Sequence, residues 1–297
     1  MKYRNFVLFI TILQLTLFNG MLPAQTLTID DAVLKIESKG NLTFPEWSED
    51  GTEIFYQSDQ NGNYDIYSFN LKNKTVKRIT FSKNDEQHPA WWYKHNAVAF
   101  ESKKNGISFL FYYDFKKKRV FQLFNRNISC RQPSFDPNGR LVAFSGYDRE
   151  TMQWQLFTYD FVYDNLNRLS EEKKIAAFPL FSPKGNKLLY QPLAAPGDTV
   201  AEIKMVNWYG KPLHAYEQKA LLKVNFSPDE WRIYYVDTVE GGCQLKSMRK
   251  DGTSVMNISA VYPGIRCPAV SPGNDKLAVS IKNGDKFKIY IFDISTF

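Results

Sequence analysis

One short pattern returns six times along the chain, and its spacing leaves few folds open. Pro45-Glu46-Trp47-Ser48-Glu49-Asp50-Gly51 comes back as Pro89-Ala90-Trp91-Trp92-Tyr93, as PSFDPNG from Pro133, as PLFSPKG from Pro179, as VNFSPDE from Val224 and as PAVSPGN from Pro268. Its third position, aromatic or Val, falls at 47, 91, 135, 181, 226 and 270, so the intervals are 44, 44, 46, 45 and 44 residues. A fixed period of this length means one supersecondary unit repeated, with each copy burying its apolar face against the next.

Each motif is followed by an apolar run suited to a strand: 53–57, 97–102, 141–145, 187–191, 232–237 and 276–281. A turn and a second run come next, such as 65–70 or 287–292, and in the first five units a third run closes the set, as at 76–80. With the short strand of the motif itself, that makes four antiparallel strands per unit, the description of a propeller blade. The chain is therefore expected to be all-β, a six-bladed β-propeller with repeats starting near residues 41, 86, 130, 176, 221 and 265. The sixth unit lacks its outer strand. The segment 33–37, VLKIE, stands before the first motif as 76–80 stands before the second, so it should close the last blade and remove the open sheet edges.

The motif chemistry fits a scaffold. Pro belongs where no ladder donor is needed, such as the first residue of a strand, and Ser-Pro-Asp-Gly is turn chemistry with Gly taking positive φ. The residue at the third position should fill the layer between blades. Ser48, Ser182, Ser227 and Ser271 then read as turn residues, not nucleophiles.

The first residues carry Lys2 and Arg4, an apolar run from 6 to 18 that is short for a membrane span, and Leu22-Pro23-Ala24 as a processing site. Residues 1–24 are read as a secretory signal and 25–297 as the propeller, exported to the periplasm or cell exterior with no stable membrane span afterwards. Cys130, Cys243 and Cys267 match no zinc spacing; they read as buried small hydrophobes, with any pairing of two of them left open. The formal charge of +7 is modest for 297 residues, and the longest basic run, Lys116 to Arg119, reads as a solvated hairpin tip, so nucleic acid is not expected as a partner.

FPEWSEDG, DIYSFN and VKRIT together resemble the TolB-type propeller repeat, over about residues 33–297. The resemblance implies a periplasmic protein that docks a partner at the propeller mouth. It departs in one respect: TolB carries an α/β domain before its propeller, and here only 25–32 separate the leader from the first strand.

Enzymatic readings find little to stand on. A prolyl-oligopeptidase-type enzyme needs a Gly-x-Ser-x-Gly elbow, which does not occur, and the sialidase Ser-x-Asp-x-Gly box is one residue short in Ser48-Glu49-Asp50-Gly51. Oligogalacturonate lyases resemble the chain in repeat style and imply a histidine-bound metal, but His88, His95 and His214 are not expected to converge. Asp59-Gln60-Asn61-Gly62 reads as a tight hairpin, not a calcium loop. No cofactor or metal is expected. The residues just before each motif Pro lie where the innermost strand begins, and on the channel side they include Glu86, Gln87, His88, Arg131, Gln132, Lys223 and Arg266. The expectation is a monomeric binding module, an envelope protein scaffold taking an acidic peptide or glycan segment at this mouth. The alternative is a propeller enzyme or lectin-like protein acting on an acidic polysaccharide.

Overall fold

A computed structural model describes residues 26–170 and 173–295; the leader reading falls outside them. Six four-stranded antiparallel sheets stand in a ring. Blade 1 runs from Leu42–Trp47 through Glu53–Ser58 and Asp65–Asn70 to Val76–Arg78. Blades 2, 3, 4 and 5 start with the inner strands Asp85–Trp92, Cys130–Phe135, Ile175–Phe181 and Asn225–Phe226 and end with Arg119–Gln122, Asn165–Arg168, Pro212–Leu221 and Met256–Tyr262. Blade 6 takes Ile265–Val270, Lys276–Asn283 and Lys286–Asp293, and its fourth strand is Leu34–Ile36.

The N-terminal segment closes the ring as expected, Leu34 pairing with Ile291 and Ile36 with Ile289. It does more than that. Upstream, Leu27 bridges Ser259 on the outer strand of blade 5, its N–H donating to the Ile258 carbonyl at 2.7 Å. The Leu27 side chain is buried among Ile258, Val279 and Ile294. One short strap therefore fastens the edges of two blades.

The third motif residues Trp47, Trp91, Phe135, Phe181, Phe226 and Val270 are all buried. They fill the layer between neighbouring blades: Trp91 stacks on Phe55 of blade 1 with ring centroids 5.4 Å apart, and Trp47 Nε1 donates to the Ala269 carbonyl of blade 6 at 2.9 Å. Each such aromatic brings a large apolar area out of water, so the blades are held side by side mainly by burial. The motif serines are turn residues. Ser48, Ser227 and Ser271 each accept, through Oγ, the N–H five residues on, and Asp136 does the same for Leu141.

The motif Pro differs from expectation. Pro45, Pro89, Pro133, Pro179 and Pro268 lie inside their strands, not at the first residue. Each sits in a β-bulge where the register slips, as between Thr43 and Glu46. A bulge leaves one residue without a ladder bond, so the missing N–H costs nothing there. The residue before each of these prolines, Phe44, His88, Gln132, Phe178 or Cys267, has φ between +51° and +57°. In blade 5, where Val224 replaces Pro, the positive φ moves to Leu222 and the inner strand shrinks to two residues.

Candidate functional site

The bulges decide what faces the axis. Phe44 of blade 1 and Phe178 of blade 4 meet across the channel, their rings stacked with centroids 6.1 Å apart. His88 of blade 2 packs edge-on against both, at 4.4 Å and 5.9 Å. Together with Gln132 and Lys223 they leave about 20 Å³ of free space, room for about one water molecule. The channel is closed by an aromatic plug, and two separate mouths remain, one where the inner strands begin and one on the motif side.

Each bulge is pinned by its neighbour. The His88 N–H donates to Gln57 Oε1 at 2.8 Å, the Gln132 N–H to Glu101 Oε2 at 3.0 Å, and the Phe178 N–H to Gln132 Oε1 at 2.9 Å. Glu101 is buried and also lies 2.9 Å from His88 Nδ1, a close approach without hydrogen-bond alignment. Burial works to raise the Glu101 carboxyl, but His88, the Gln132 N–H and Arg131 outweigh it and hold the group below the usual carboxylate range.

The sequence candidates do not share one place. His88 and Gln132 belong to the plug. Lys223 reaches past it to the motif side, where Nζ pairs with Glu46 Oε2 at 2.8 Å, blade 5 to blade 1. There a cavity of about 230 Å³ is walled by Trp47, Tyr93, Phe135 and Phe226 and collared by Pro137 and Pro272. Glu86 is buried between blades 1 and 2, away from the axis, and Gln87 is half-buried beside Glu101 in the ladder. Only Arg131 and Arg266 remain at the strand-start mouth.

These two arginines sit in opposed blades, 3 and 6, each half-buried on an aromatic ring of its own blade. Arg131 lies over Trp154 at 4.1 Å and Arg266 over Phe287 at 4.4 Å. Neither forms an ion pair among the described residues, and Arg131 Nε has no hydrogen-bond partner. Burial lowers the Arg131 guanidinium from its ordinary value, with Glu101 acting against it. Stacking fixes the plane of a guanidinium while leaving its outer N–H groups free, the arrangement suited to a carboxylate.

The remaining histidines stand apart. His95 stacks on Trp92 at 4.0 Å in a turn, and His214 packs on Tyr216 in the outer strand of blade 4. Among the described residues no group of three His, Cys, Asp or Glu could hold a metal ion. Cys130 and Cys267 are buried and Cys243 half-buried, and all three are free thiols. No helix among the described residues is long and apolar enough to cross a membrane.

The fold is that of a six-bladed β-propeller with four-stranded antiparallel blades. The family profile described as TolB beta propeller domain matches residues 32–160. Among solved structures, TolB from Acinetobacter baumannii has a TM-score of 0.68 at 21% identity, covering 79% of this chain and 58% of its own. A protein provisionally assigned as TolB from Agrobacterium tumefaciens gives 0.66 at 14%, covering 87% and 92%. Oligogalacturonate lyase from Vibrio parahaemolyticus gives 0.58 at 12%, covering 91% and 93%. This chain thus spans little more than half of the first of them. No curated protein matches it in sequence. The chain is a six-bladed β-propeller whose first half matches the TolB beta propeller domain profile.

Glu46, Glu101, Phe44 and Phe178 were not foreseen. The two phenylalanines stand immediately before motif prolines, at the very position from which the charged candidates were drawn, so a search for apolar as well as charged residues there would have found them.

Proposed function

We propose that this chain is an exported, non-enzymatic docking module that takes an acidic segment, a stretch of Asp and Glu or a free C-terminus, on its strand-start mouth. The observation that carries the reading is the pair of opposed arginines without an ion-pair partner among the described residues, Arg131 and Arg266, each held over an aromatic ring above a closed channel. A plug gives the mouth a floor, so a partner would rest on the opening and not thread through it. Fixed cations on either side of one opening raise the local potential above that of a net charge of +7 spread over the surface. The TolB resemblance supports an envelope location and a protein partner.

The test is capture of a fluorescent acidic peptide with a free C-terminus, and of envelope proteins from an extract, by the parent chain and by Arg131→Ala with Arg266→Ala. Charge-assisted hydrogen bonds at roughly 1.5–3 kcal/mol each imply at least tenfold weaker capture by the double variant. Equal capture in low salt would put binding elsewhere. The lyase-like alternative is separated by incubating the chain with polygalacturonate and manganese; release of unsaturated oligomers would replace docking by turnover.

A further inference from the structure

A second cavity has no connection with the channel. It is a groove of about 520 Å³ between blades 1 and 2 on the outer side of the ring, floored by Phe100, Phe111 and Tyr113. At its inner end lies Glu86, only 2% exposed. Glu86 Oε1 accepts from the Ser82 and Ser102 hydroxyls, whereas the buried Oε2 has no hydrogen-bond partner. Buried carboxyl oxygens are nearly always satisfied, so an orphan at the end of a groove points to a missing donor.

The rim of the groove is basic. Lys77 comes from blade 1, and Lys118 and Arg119 from the turn and outer strand of blade 2. The acidic neighbours are already engaged, Asp65 with Arg78 and Asp114 with Lys117, so these three cations keep no carboxylate of their own among the described residues. The lip is apolar: Phe81 is 71% exposed and Val120 44%. The tip read from the sequence as merely solvated thus forms one wall of a cavity. Its volume lies within the range of small-molecule sites, too confined for a folded partner to enter.

We infer that this groove binds one small organic anion, with a ring-bearing apolar body on Phe111 and Tyr113, its negative group against Lys118 and Arg119, and a hydroxyl or N–H donor reaching Glu86. Anilinonaphthalene sulfonate has all three parts and is the probe. Its fluorescence should saturate at one molecule per native chain, with intermolecular NOEs to Phe81 and Tyr113. Lys118→Ala with Arg119→Ala, both exposed positions that leave the fold intact, should weaken binding at least tenfold, and Val120→Trp should block the groove. Arg131→Ala with Arg266→Ala should change nothing here, which separates this site from the mouth. The inference is overturned if the probe does not saturate, if the rim variants titrate like the parent, or if the same rim residues instead govern binding to phosphatidylglycerol vesicles while the probe stays free.

Discussion

His88 Nδ1 lies 2.9 Å from Glu101 Oε2, and the same oxygen accepts the Gln132 N–H from the next blade at 3.0 Å. A single carboxylate therefore ties blades 2 and 3 together and steadies the ring that plugs the channel. In blade 1 the neutral Gln57 performs the matching task for the His88 N–H. That comparison makes Glu101→Gln the informative substitution. It should keep the bond to Gln132 and lose only what the negative charge adds, whereas Glu101→Ala leaves a buried N–H and His88 without their partner and should cost more, about 3–5 kcal/mol. Urea melts of both variants check it.

The same residue sets an acid limit. Because the folded carboxyl lies below its unfolded value, the folded state binds fewer protons, and Glu101 contributes stability above the ordinary Glu value of about 4.3. That contribution is lost as pH falls from there through the folded value. Glu86 is shifted the other way, raised chiefly by burial with Ser82 and Ser102 opposing, so its ionisation weakens the fold as pH rises past about 4.3. Melting temperatures between pH 7 and pH 3 should therefore fall less steeply for Glu101→Gln than for the parent, and Glu86→Gln should melt no lower than the parent at pH 7.

Removing the plug should be costly and local. Phe44 and Phe178 are buried, and each loses its partner across the axis when the other is cut to Ala. Either substitution should destabilise by about 3–5 kcal/mol, the usual range for a buried Phe. Because the two rings share one contact, the double variant should cost less than the sum. Thermal or denaturant melts of the cycle give the coupling directly.

The thiols should divide two to one. Burial pushes Cys130 and Cys267 up to about 12, so neither carries appreciable thiolate at neutral pH. Cys243 is only half-buried. Maleimide treatment of the native chain at pH 7 followed by mass spectrometry should add one label quickly and two more only on unfolding.

Deleting residues 26–38 should open blade 6 and strip the edge of blade 5 together. Leu27 and Ile36 are buried, at about 1.5–3 kcal/mol each, and the Leu34–Ile36 ladder goes with them. The expected result is a sharply lower melting point with aggregation. An unchanged melt would mean that the strap is not part of the closed ring.

The period of the third motif position was enough to read the architecture, because Trp47, Trp91, Phe135, Phe181, Phe226 and Val270 each do the same job between blades. The bulge was not legible. Five different side chain contexts, Phe44, His88, Gln132, Phe178 and Cys267, share one backbone conformation that none of them favours on its own. It goes with the bulge at each motif Pro, which turns Phe44 toward Phe178 and His88. For the candidate site, the sequence pointed to Arg131 and Arg266, but their aromatic supports, Trp154 and Phe287, lie on other strands of the blade and carry no local signature. Lys223 illustrates the opposite failure, since its partner Glu46 stands 177 residues away.

The strap also sets an order of events. Leu34–Ile36 is synthesised early, yet its partner strand Lys286–Asp293 emerges only after five blades have been made, so the segment must wait unpaired while most of the molecule is already assembled. A waiting strand is an invitation to wrong neighbours, including the same strand in another copy. The exposed face of this one carries Lys35 and Glu37, which later join Lys288 in a small charged cluster across the closed edge. Before closure those charges discourage stacking against an apolar edge; after it they fasten the last seam.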